Sequence, residues 1–447
     1  MREHWHSRFG FLMATAGFAV GLGNIWRFPY MAGQNGGGAF LIVYLAFTIL
    51  IGIPLLTAEI SMGRKTQLSP IAGMRELTGS ATHPWNLIGW MGVATAVVIH
   101  ALYIMIVAWI VGYFGMMIGG RLGEGSPADF QAVYDGFISN TPLVLGLIGA
   151  ILVALGAILT RGLTNGLERV AKFAMPLLFA MLLVLVVRSL TLPGGREGLI
   201  WYLEPDFSRL TAEGVLAALG QAFFSIGIGM AAAFGLGSYL DPENSDIPGS
   251  AVIVVGFDTG VAVIAGLMIF PALFAFGIEP DSGPGLLFVT MPLVFSQMPG
   301  GQLFGIIFFG LVMLAATTSV LAVFEVLAAT LRDSLGMSRN QSVVAVLAGT
   351  FLLSVPIVLS QGPWADIRIA GRSIFGFVDH LTGSYMLGLS GFLIALYLAI
   401  GWGWEAFRRE TNQGAGYITV NPTWMPFVRV LIPLAVGLVL LSGFGVL

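Results

Sequence analysis

The stretch of sequence that decides the fold runs from residue 17 to residue 30 and reads GFAVGLGNIWRFPY. It is apolar enough to cross a membrane, yet its centre holds Gly21 and Gly23, with Asn24 directly after them. A continuous membrane helix would gain most from alanine or leucine there, because glycine has more conformational freedom to lose. The stretch therefore predicts a helix that is unwound near the middle of a bilayer.

A second apolar stretch, residues 212–239, is interrupted in the same way. Its centre reads SIGIG at residues 225–229, which again combines glycines with a side-chain oxygen. Glycines in membrane helices also form close-packing surfaces, and that alternative stays open for either stretch taken alone. The coincidence of the two favours a binding site, because unwound backbone persists at membrane depth only where protein, ion or substrate satisfies its N–H and C=O groups.

The composition indicates that most of the chain lies in a membrane. Charged residues make up 10% of the 447 residues and apolar residues 57%, whereas an average soluble protein is roughly 25% charged. Apolar runs of about 20 residues form helices, while strands of a membrane barrel would be about half as long and would alternate in polarity. The predicted class is an all-α integral membrane protein, and a cytosolic enzyme and a disordered chain are excluded.

Eleven apolar runs predict eleven transmembrane helices. They are expected near residues 10–35, 38–62, 87–118, 142–160, 167–192, 212–239, 247–276, 301–332, 342–360, 374–403 and 424–446. The interrupted first and sixth spans are five apart, which is typical of a five-helix unit repeated with inverted topology. The chain would then divide into a first repeat at 1–192, an inverted repeat at 193–403 and one extra helix at 404–447.

Lysine and arginine predict how the chain is oriented. If the N-terminus is cytoplasmic, thirteen of these residues fall on the cytoplasmic side and six on the opposite side. Cytoplasmic loops carry the excess of positive charge, so we expect a cytoplasmic N-terminus. With an odd number of spans, the C-terminus is expected on the extracytoplasmic side.

Several chemistries are excluded by what the chain lacks. It has no cysteine, so it can form no disulfide and no thiolate nucleophile, and its net charge of −3 gives no reason to expect nucleic acid. Its five histidines do not have the spacing of a metal site. An intramembrane enzyme would need a hydroxyl nucleophile with a histidine base, and His100 is the only histidine well inside a span.

The interrupted stretch also carries a resemblance to a known family. Together with NGGGAF at residues 35–40, it resembles the first-span signature of the neurotransmitter:sodium symporter family. The similarity covers nearly the whole chain, through GIP at 52–54, Glu59, RG at 161–162, GLER at 166–169, GQAFFS at 220–225, SQ at 296–297 and GG at 300–301. The number of predicted spans, eleven, is similar to that of the bacterial amino-acid transporter branch. The resemblance implies the LeuT fold with discontinuous helices 1 and 6.

The resemblance implies a function. The chain would be a sodium-coupled symporter that works by alternating access, and it would not be an enzyme. It would lie in a bacterial inner membrane as a monomer or weak homodimer, in contact with lipid and with no nucleic-acid partner. A sodium-permeable channel is an alternative from another class, which would need a continuous polar pore.

Two sodium sites are implied by the resemblance, both built from hard oxygen donors that suit a hard cation. The first would use Ala19, Asn24, Ser225 and Asp258, with the substrate carboxylate as a further ligand. The second would use Gly17, Val20, Ala315, Thr318 and Ser319.

Asp258 departs from the family pattern. The resemblance implies that many members have asparagine at this position and a serine four residues later that helps to bind chloride. This chain instead has Asp258 and Ala262, although Tyr44, Gln221 and Ser225 match the other positions of that chloride site. Because a fixed carboxylate can replace a bound anion, we expect transport to be independent of chloride. A protonated Asp258 that bonds its neighbours is the alternative.

Gly21 indicates the substrate. Relatives that transport amines resemble this signature but hold an aspartate here, whereas Gly21 leaves space and bare N–H groups for a carboxylate. The resemblance places the substrate against Ala19, Gly21, Leu22, Gly23, Ile99, Tyr103, Phe224, Ser225, Gly227, Met230, Ser319 and Val323. This uncharged set favours a neutral, hydrophobic or aromatic L-amino acid. A GABA-like or taurine-like ω-amino acid remains the alternative.

Gates on both faces follow from the resemblance. The outer gate would pair two charged residues, Arg27 and Asp379. The inner gate would consist of Arg2, Asp333, Trp5 and Tyr239. We also expect Glu59 to hold the unwound backbone of the sixth span, and we derive no role for Glu325 or His100.

Overall fold

The computed structural model describes residues 3–123, 125–243, 245–279, 283–414 and 416–443. These residues form an all-α fold, and the sheet among them is a short antiparallel hairpin of β1 (Arg368–Ile369) and β2 (Arg372–Ser373). The helices are α1 Arg8–Ala19, α2 Gly23–Gln34, α3 Gly38–Thr66, α4 Pro70–Thr78, α5 Pro84–Ile118, α6 Pro127–Ile138, α7 Thr141–Leu159, α8 Leu163–Leu190, α9 Gly195–Leu203, α10 Ala212–Ile226, α11 Ala232–Gly237, α12 Ile247–Ala275, α13 Thr290–Gln297, α14 Gly301–Leu335, α15 Arg339–Leu359, α16 Ile374–Gly401, α17 Trp404–Thr411 and α18 Pro422–Leu441.

Nine helices in the described ranges are long and apolar enough to cross a membrane, namely α3, α5, α7, α8, α12, α14, α15, α16 and α18. The bent pair α1 and α2 makes a tenth span if it is counted as one. The prediction of eleven spans adds residues 212–239, which the structure divides into α10 with 15 residues and α11 with 6. Neither piece is long enough to cross alone, so the count of eleven and the inverted repeat stay predictions.

The first predicted interruption is present in the structure. α1 ends at Ala19, the backbone of Val20 is extended, and α2 begins at Gly23 with its axis bent by 50°. The Val20 N–H still bonds the Ala16 carbonyl at 2.7 Å, so the ordinary helical pattern stops there. α2 opens with a widened π-helical turn, Gly23–Arg27. The glycine-rich signature therefore separates two half-helices in the interior.

A longer break separates α10 from α11. The residues between them include Gly227 at φ +74° and Gly229 at φ +88°, values in the left-handed region where glycine is favoured. The Gly229 N–H donates to Glu59 Oε1 at 2.9 Å. The expected contact between Glu59 and the unwound backbone is thus present in the structure.

Both breaks lie in the centre of the helix bundle. α1 packs against α8, α12 and α14, and α2 contacts α12 through its first turn. On the outer helices, large apolar side chains such as Val153, Phe173 and Leu352 face outward and are about 70% exposed. That arrangement suits a protein whose surroundings are lipid, with its polar groups collected inside.

Candidate functional site

A buried cavity of about 30 Å³ lies between the two breaks. It is lined by Phe18, Ala19, Gly21, Leu22, Gly23, Ile99, His100, Tyr103, Phe224, Ser225, Gly227, Met230 and Ser319. Every residue predicted to touch the substrate is in this set except Val323. Val323 lies about one helical turn beyond Ser319 on α14 and is completely buried in the packing.

Two residues line the cavity that the sequence did not assign to it, Phe18 and His100. Phe18 lies inside the interrupted stretch, but an apolar side chain there has the same pattern as a core residue. His100 did carry a signal, because it is a histidine inside a membrane helix, and such residues tend to be functional. The signal gave no indication of what the imidazole contacts.

The backbone at Gly21, at the end of the half-helix, is accessible from the cavity because glycine has no side chain to cover it. A Cβ atom on Gly21 would lie 3.0 Å from the Tyr103 hydroxyl, which accepts a hydrogen bond from the Leu22 N–H at 3.2 Å. On the other side, the Ser319 hydroxyl donates to the Phe18 carbonyl at 2.9 Å. The Gly21 N–H itself donates to Asn24 Oδ1 at 2.9 Å, so backbone groups, two hydroxyls and one amide contact this end.

Three buried residues of the predicted first sodium site meet beside the cavity. The Asn24 amide nitrogen lies 2.6 Å from Asp258 Oδ1 and 3.0 Å from Ser225 Oγ, and the Ser225 hydroxyl lies 2.9 Å from Asp258 Oδ2. Within the described part of the chain, Asp258 forms no ion pair with a basic side chain. The Asp258 and Ser225 oxygens are hard donors that suit a cation, and a buried carboxylate without a positive partner is unfavourable in a membrane. Asn24 turns its amide nitrogen toward them, while its Oδ1 accepts from the Gly21 N–H at 2.9 Å.

Residues of the predicted second sodium site bring α1 and α14 together. A Cβ atom on Gly17 would lie 3.2 Å from Thr318 Cβ, and the Thr318 hydroxyl donates to the Ala315 carbonyl at 3.1 Å. Val20 and Ala315 are completely buried. The site offers only hydroxyl and carbonyl oxygens, which are hard donors without net charge.

Residues at the family's chloride positions surround Ser225 and the first helix break. The Tyr44 hydroxyl donates to Ser225 Oγ at 3.3 Å, and the Gln221 amide donates to the Gly23 carbonyl at 2.8 Å. Ala262 is completely buried on the same helix as Asp258. Asp258 is therefore the residue with an acidic side chain in this group.

Comparison with known proteins identifies the family. The model of the sodium:neurotransmitter symporter family matches residues 2–123 and 130–445. The chain belongs to this family. It is 36% identical to an uncharacterized sodium-dependent transporter of Haemophilus influenzae and 37% identical to the uncharacterized sodium-dependent transporter YhdH of Bacillus subtilis. Each comparison covers 99% of this chain and 98% of the relative.

A solved structure of a similar protein has the same fold as this chain. The crystal structure of MhsT in complex with L-phenylalanine is similar to this chain, with a TM-score of 0.90 and 40% identity over 99% of this chain and 100% of MhsT. The chain is thus a sodium-dependent symporter and not an enzyme, and the resemblance found in the sequence is confirmed.

The symporter has a larger cavity of about 270 Å³ next to the first one. Leu22, Ile99, Tyr103 and Phe224 line both cavities, so these side chains form the boundary between them. Beyond that boundary the larger cavity is lined largely by aromatic rings, including Trp26, Tyr30, Trp109, Tyr134, Phe288 and Phe375.

The two residues of the predicted outer gate line the larger cavity without touching each other. Among the described residues, Arg27 forms no ion pair with Asp379. Its guanidinium donates to Gln221 Oε1 at 3.2 Å and lies 4.4 Å from the centre of the Phe224 ring. A passage therefore leads between the two charged side chains to the boundary above the smaller cavity.

The predicted inner gate lies only partly within the described residues. Arg2 lies outside the described residues, and Asp333 accepts a hydrogen bond from the Ser69 N–H at 2.7 Å. The Trp5 indole donates to the Leu236 carbonyl at 3.1 Å, and its ring packs edge-on against Tyr239. The segment before α1 is thereby held against the end of α11.

Glu325 is the centre of this inner contact. Its carboxylate is completely buried and accepts hydrogen bonds from Tyr239 at 2.8 Å, from Arg332 at 3.0 Å and from Arg339 at 2.6 Å. Arg339 also pairs with Glu3 at 3.0 Å. The sequence did not indicate this network, because Glu3 and Tyr239 lie far from Glu325 along the chain and Arg339 lies on the next helix.

Proposed function

We propose that this symporter imports a neutral amino acid with an apolar or aromatic side chain, together with two sodium ions and without chloride. The observation that carries the proposal is the buried cavity between the helix breaks. No aspartate, glutamate, lysine or arginine lines it, while the Asp258 side chain, which forms no ion pair among the described residues, lies beside it. Such a site suits a zwitterion bound together with a cation.

The two ends of the substrate are expected to bind differently. The substrate carboxylate would bind at the break near Gly21, where the Leu22 N–H and the Tyr103 hydroxyl now bond each other and would turn to it. The open carbonyls of the broken helices would receive the ammonium. Ile99, Phe224 and Met230 would surround the side chain, and methionine adapts readily to different shapes. MhsT, which is 40% identical, is bound to L-phenylalanine in its structure, and this supports an aromatic or apolar substrate.

Coupling follows if the substrate carboxylate is itself a sodium ligand. The first sodium ion would lie between that carboxylate and the cluster of Asn24, Ser225 and Asp258, so neither ion nor substrate binds well alone. Each net positive charge that moves inward across 100 mV contributes about 2.3 kcal/mol. Since about 1.4 kcal/mol corresponds to a tenfold ratio, the sodium gradient can concentrate the substrate many-fold.

Alternating access would use the contacts at the two faces. The passage between Arg27 and Asp379 and the closed network around Glu325 support an outward-facing state. Closure of the outer side would pair Arg27 with Asp379, and opening of the inner side would break the bonds of Glu325. We expect the cytoplasmic N-terminus and the bacterial inner membrane that the charge distribution and the resemblance suggest.

Transport in proteoliposomes tests the proposal. Radiolabelled L-phenylalanine, L-tryptophan and L-leucine are offered with GABA and taurine, in an inward sodium gradient and in choline. Sodium-dependent accumulation of the first three is expected. Uptake of GABA or taurine in preference would favour the ω-amino acid alternative, and sodium flux that needs no substrate would favour a channel.

A pair of variants tests chloride independence. Wild-type uptake is expected to be unchanged when gluconate replaces chloride, because Asp258 supplies the negative charge. The double variant Asp258→Asn with Ala262→Ser should become dependent on chloride. Ala262→Ser alone is the matched control, since it keeps the carboxylate and should remain indifferent to chloride. Loss of wild-type uptake in gluconate would contradict this part of the proposal.

A further inference from the structure

His100 is a polar side chain of the buried cavity that the proposed mechanism does not use. It lies on α5 one residue after Ile99, is 4% exposed, and lines the cavity together with Phe18 and Met230. Its ring centre lies 5.7 Å from that of Tyr103 and 6.0 Å from that of Phe324. Both neighbours are aromatic, so no acid or base contacts the imidazole from these sides.

The hydrogen bond of His100 determines which of its two nitrogens can meet a ligand. Nδ1 lies 2.9 Å from the Ala96 carbonyl of the same helix. A carbonyl oxygen can only accept, so Nδ1 carries the hydrogen, and the neutral imidazole keeps a lone pair on Nε2. Nε2 has no hydrogen-bond partner among the described residues. An acceptor without a partner at the wall of a cavity gains a hydrogen bond when a donor of the ligand reaches it.

We propose that His100 Nε2 accepts a hydrogen bond from the substrate side chain, so that the symporter prefers neutral amino acids whose side chain carries an N–H or O–H donor, such as an indole or a phenol. This inference rests on the proposed import of a neutral amino acid. It adds a specificity-determining residue to a wall that is otherwise apolar around the side chain.

The cavity must enlarge to admit such a ring. Its volume of about 30 Å³ is too small for an indole, but the larger cavity adjoins it through Leu22, Ile99, Tyr103 and Phe224. The Phe18 ring fills the space next to Gly227, where a Cβ atom would lie 2.2 Å from it. Movement of Phe18 and of the flexible Met230 side chain would open the subsite next to His100.

Two nearly isosteric ligands test the inference on the wild-type protein. L-tryptophan carries an indole N–H, and L-3-benzothienylalanine has a sulfur atom in its place. One net hydrogen bond is worth about three- to tenfold in affinity, so tryptophan should bind that much more tightly in sodium buffer. A ratio of dissociation constants near one overturns the inference, whatever the variants do.

Variants assign the effect to His100. His100→Phe keeps a ring without an acceptor and should bring the ratio close to one, while His100→Gln keeps an acceptor and should preserve part of it. If His100→Phe does not fold, His100→Leu takes its place. Phe324→Leu is the control, because it alters the packing around the imidazole without removing the acceptor. A ratio that persists in His100→Phe or His100→Leu assigns the hydrogen bond to another residue and overturns the inference.

L-phenylalanine separates this inference from the proposed function. It has no side-chain donor, so its sodium-dependent binding does not require His100. If phenylalanine binds in sodium while the two isosteres bind equally, the proposed function stands and only the role of His100 is wrong. If none of the three ligands binds in a sodium-dependent manner, the proposed function itself is wrong.

Discussion

The buried ion pair of Arg64 and Glu410 gives the sharpest prediction of stability. Arg64 lies at the end of α3 with its side chain completely buried, and Glu410 lies on α17. The guanidinium donates to Glu410 Oε1 at 3.0 and 3.1 Å and to the carbonyls of Ser245 and Gln413 at 2.9 and 2.6 Å. It also donates to the Glu410 carbonyl. One side chain thus joins three separate segments of the chain.

Replacing Glu410 by alanine would leave that guanidinium buried without its counter-charge. Breaking a buried pair in this way typically destabilises a protein by 3–5 kcal/mol. The carbonyl contacts of Arg64 do not depend on the carboxylate and remain in Glu410→Ala. We therefore expect a loss near the lower end of the range, about 3 kcal/mol.

Thermal unfolding of the purified protein in detergent measures the effect. The control is Glu405→Ala on the same helix, because Glu405 is 74% exposed and pairs at the surface with Arg408 at 2.9 Å. Such a pair contributes about 0–1 kcal/mol. Glu410→Ala should lower the apparent melting temperature clearly more than Glu405→Ala. Equal melting temperatures for the two variants would refute the reasoning from burial.

Two further predictions concern the helix break and the inner contact. Gly227→Ala should weaken sodium-dependent binding of the substrate by at least about tenfold, because φ is +74° and the new Cβ would overlap the Phe18 ring at 2.2 Å. Unchanged affinity in a binding assay would contradict it. Tyr239→Phe removes one hydrogen bond to Glu325. The ratio of inward-open to outward-open protein should therefore rise about fivefold. The chain has no cysteine, so faster labelling of Ser250→Cys, in a cavity beside α1, reports that shift.

Much of the lining of the buried cavity could be predicted from the sequence, because its residues lie at the helix breaks or at positions of the family motif. Gly21, Gly23 and Ser225 belong to such motifs, and all three line the cavity. His100 and Phe18 could not be assigned in this way. Whether a residue of a membrane helix faces a cavity or a neighbouring helix depends on how the helices are rotated. For the same reason Val323, which we predicted to line the cavity, is instead buried between helices.

The gates were less predictable than the cavity. Arg27 and Asp379 line the same cavity, yet Arg27 bonds Gln221 in the structure. A gate would have an open and a closed state, and the sequence does not indicate which contacts belong to each. Glu325 had no partner that could be read from the sequence. Its partners come from the turn after α11, from α14 and from α15, and only the folded chain places them around one buried carboxylate.

By itself, the sequence determined that the chain forms apolar helices that cross a membrane and that its first span is broken at its glycines. It did so because the low charge, the length of the apolar runs and the cost of glycine in a helix are local properties. Only the tertiary structure decided which polar groups meet inside. The contacts of Asn24 with Asp258, of Glu59 with Gly229 and of Glu325 with Arg339 join residues from different segments of the chain. Their energies depend on distances that no local pattern contains.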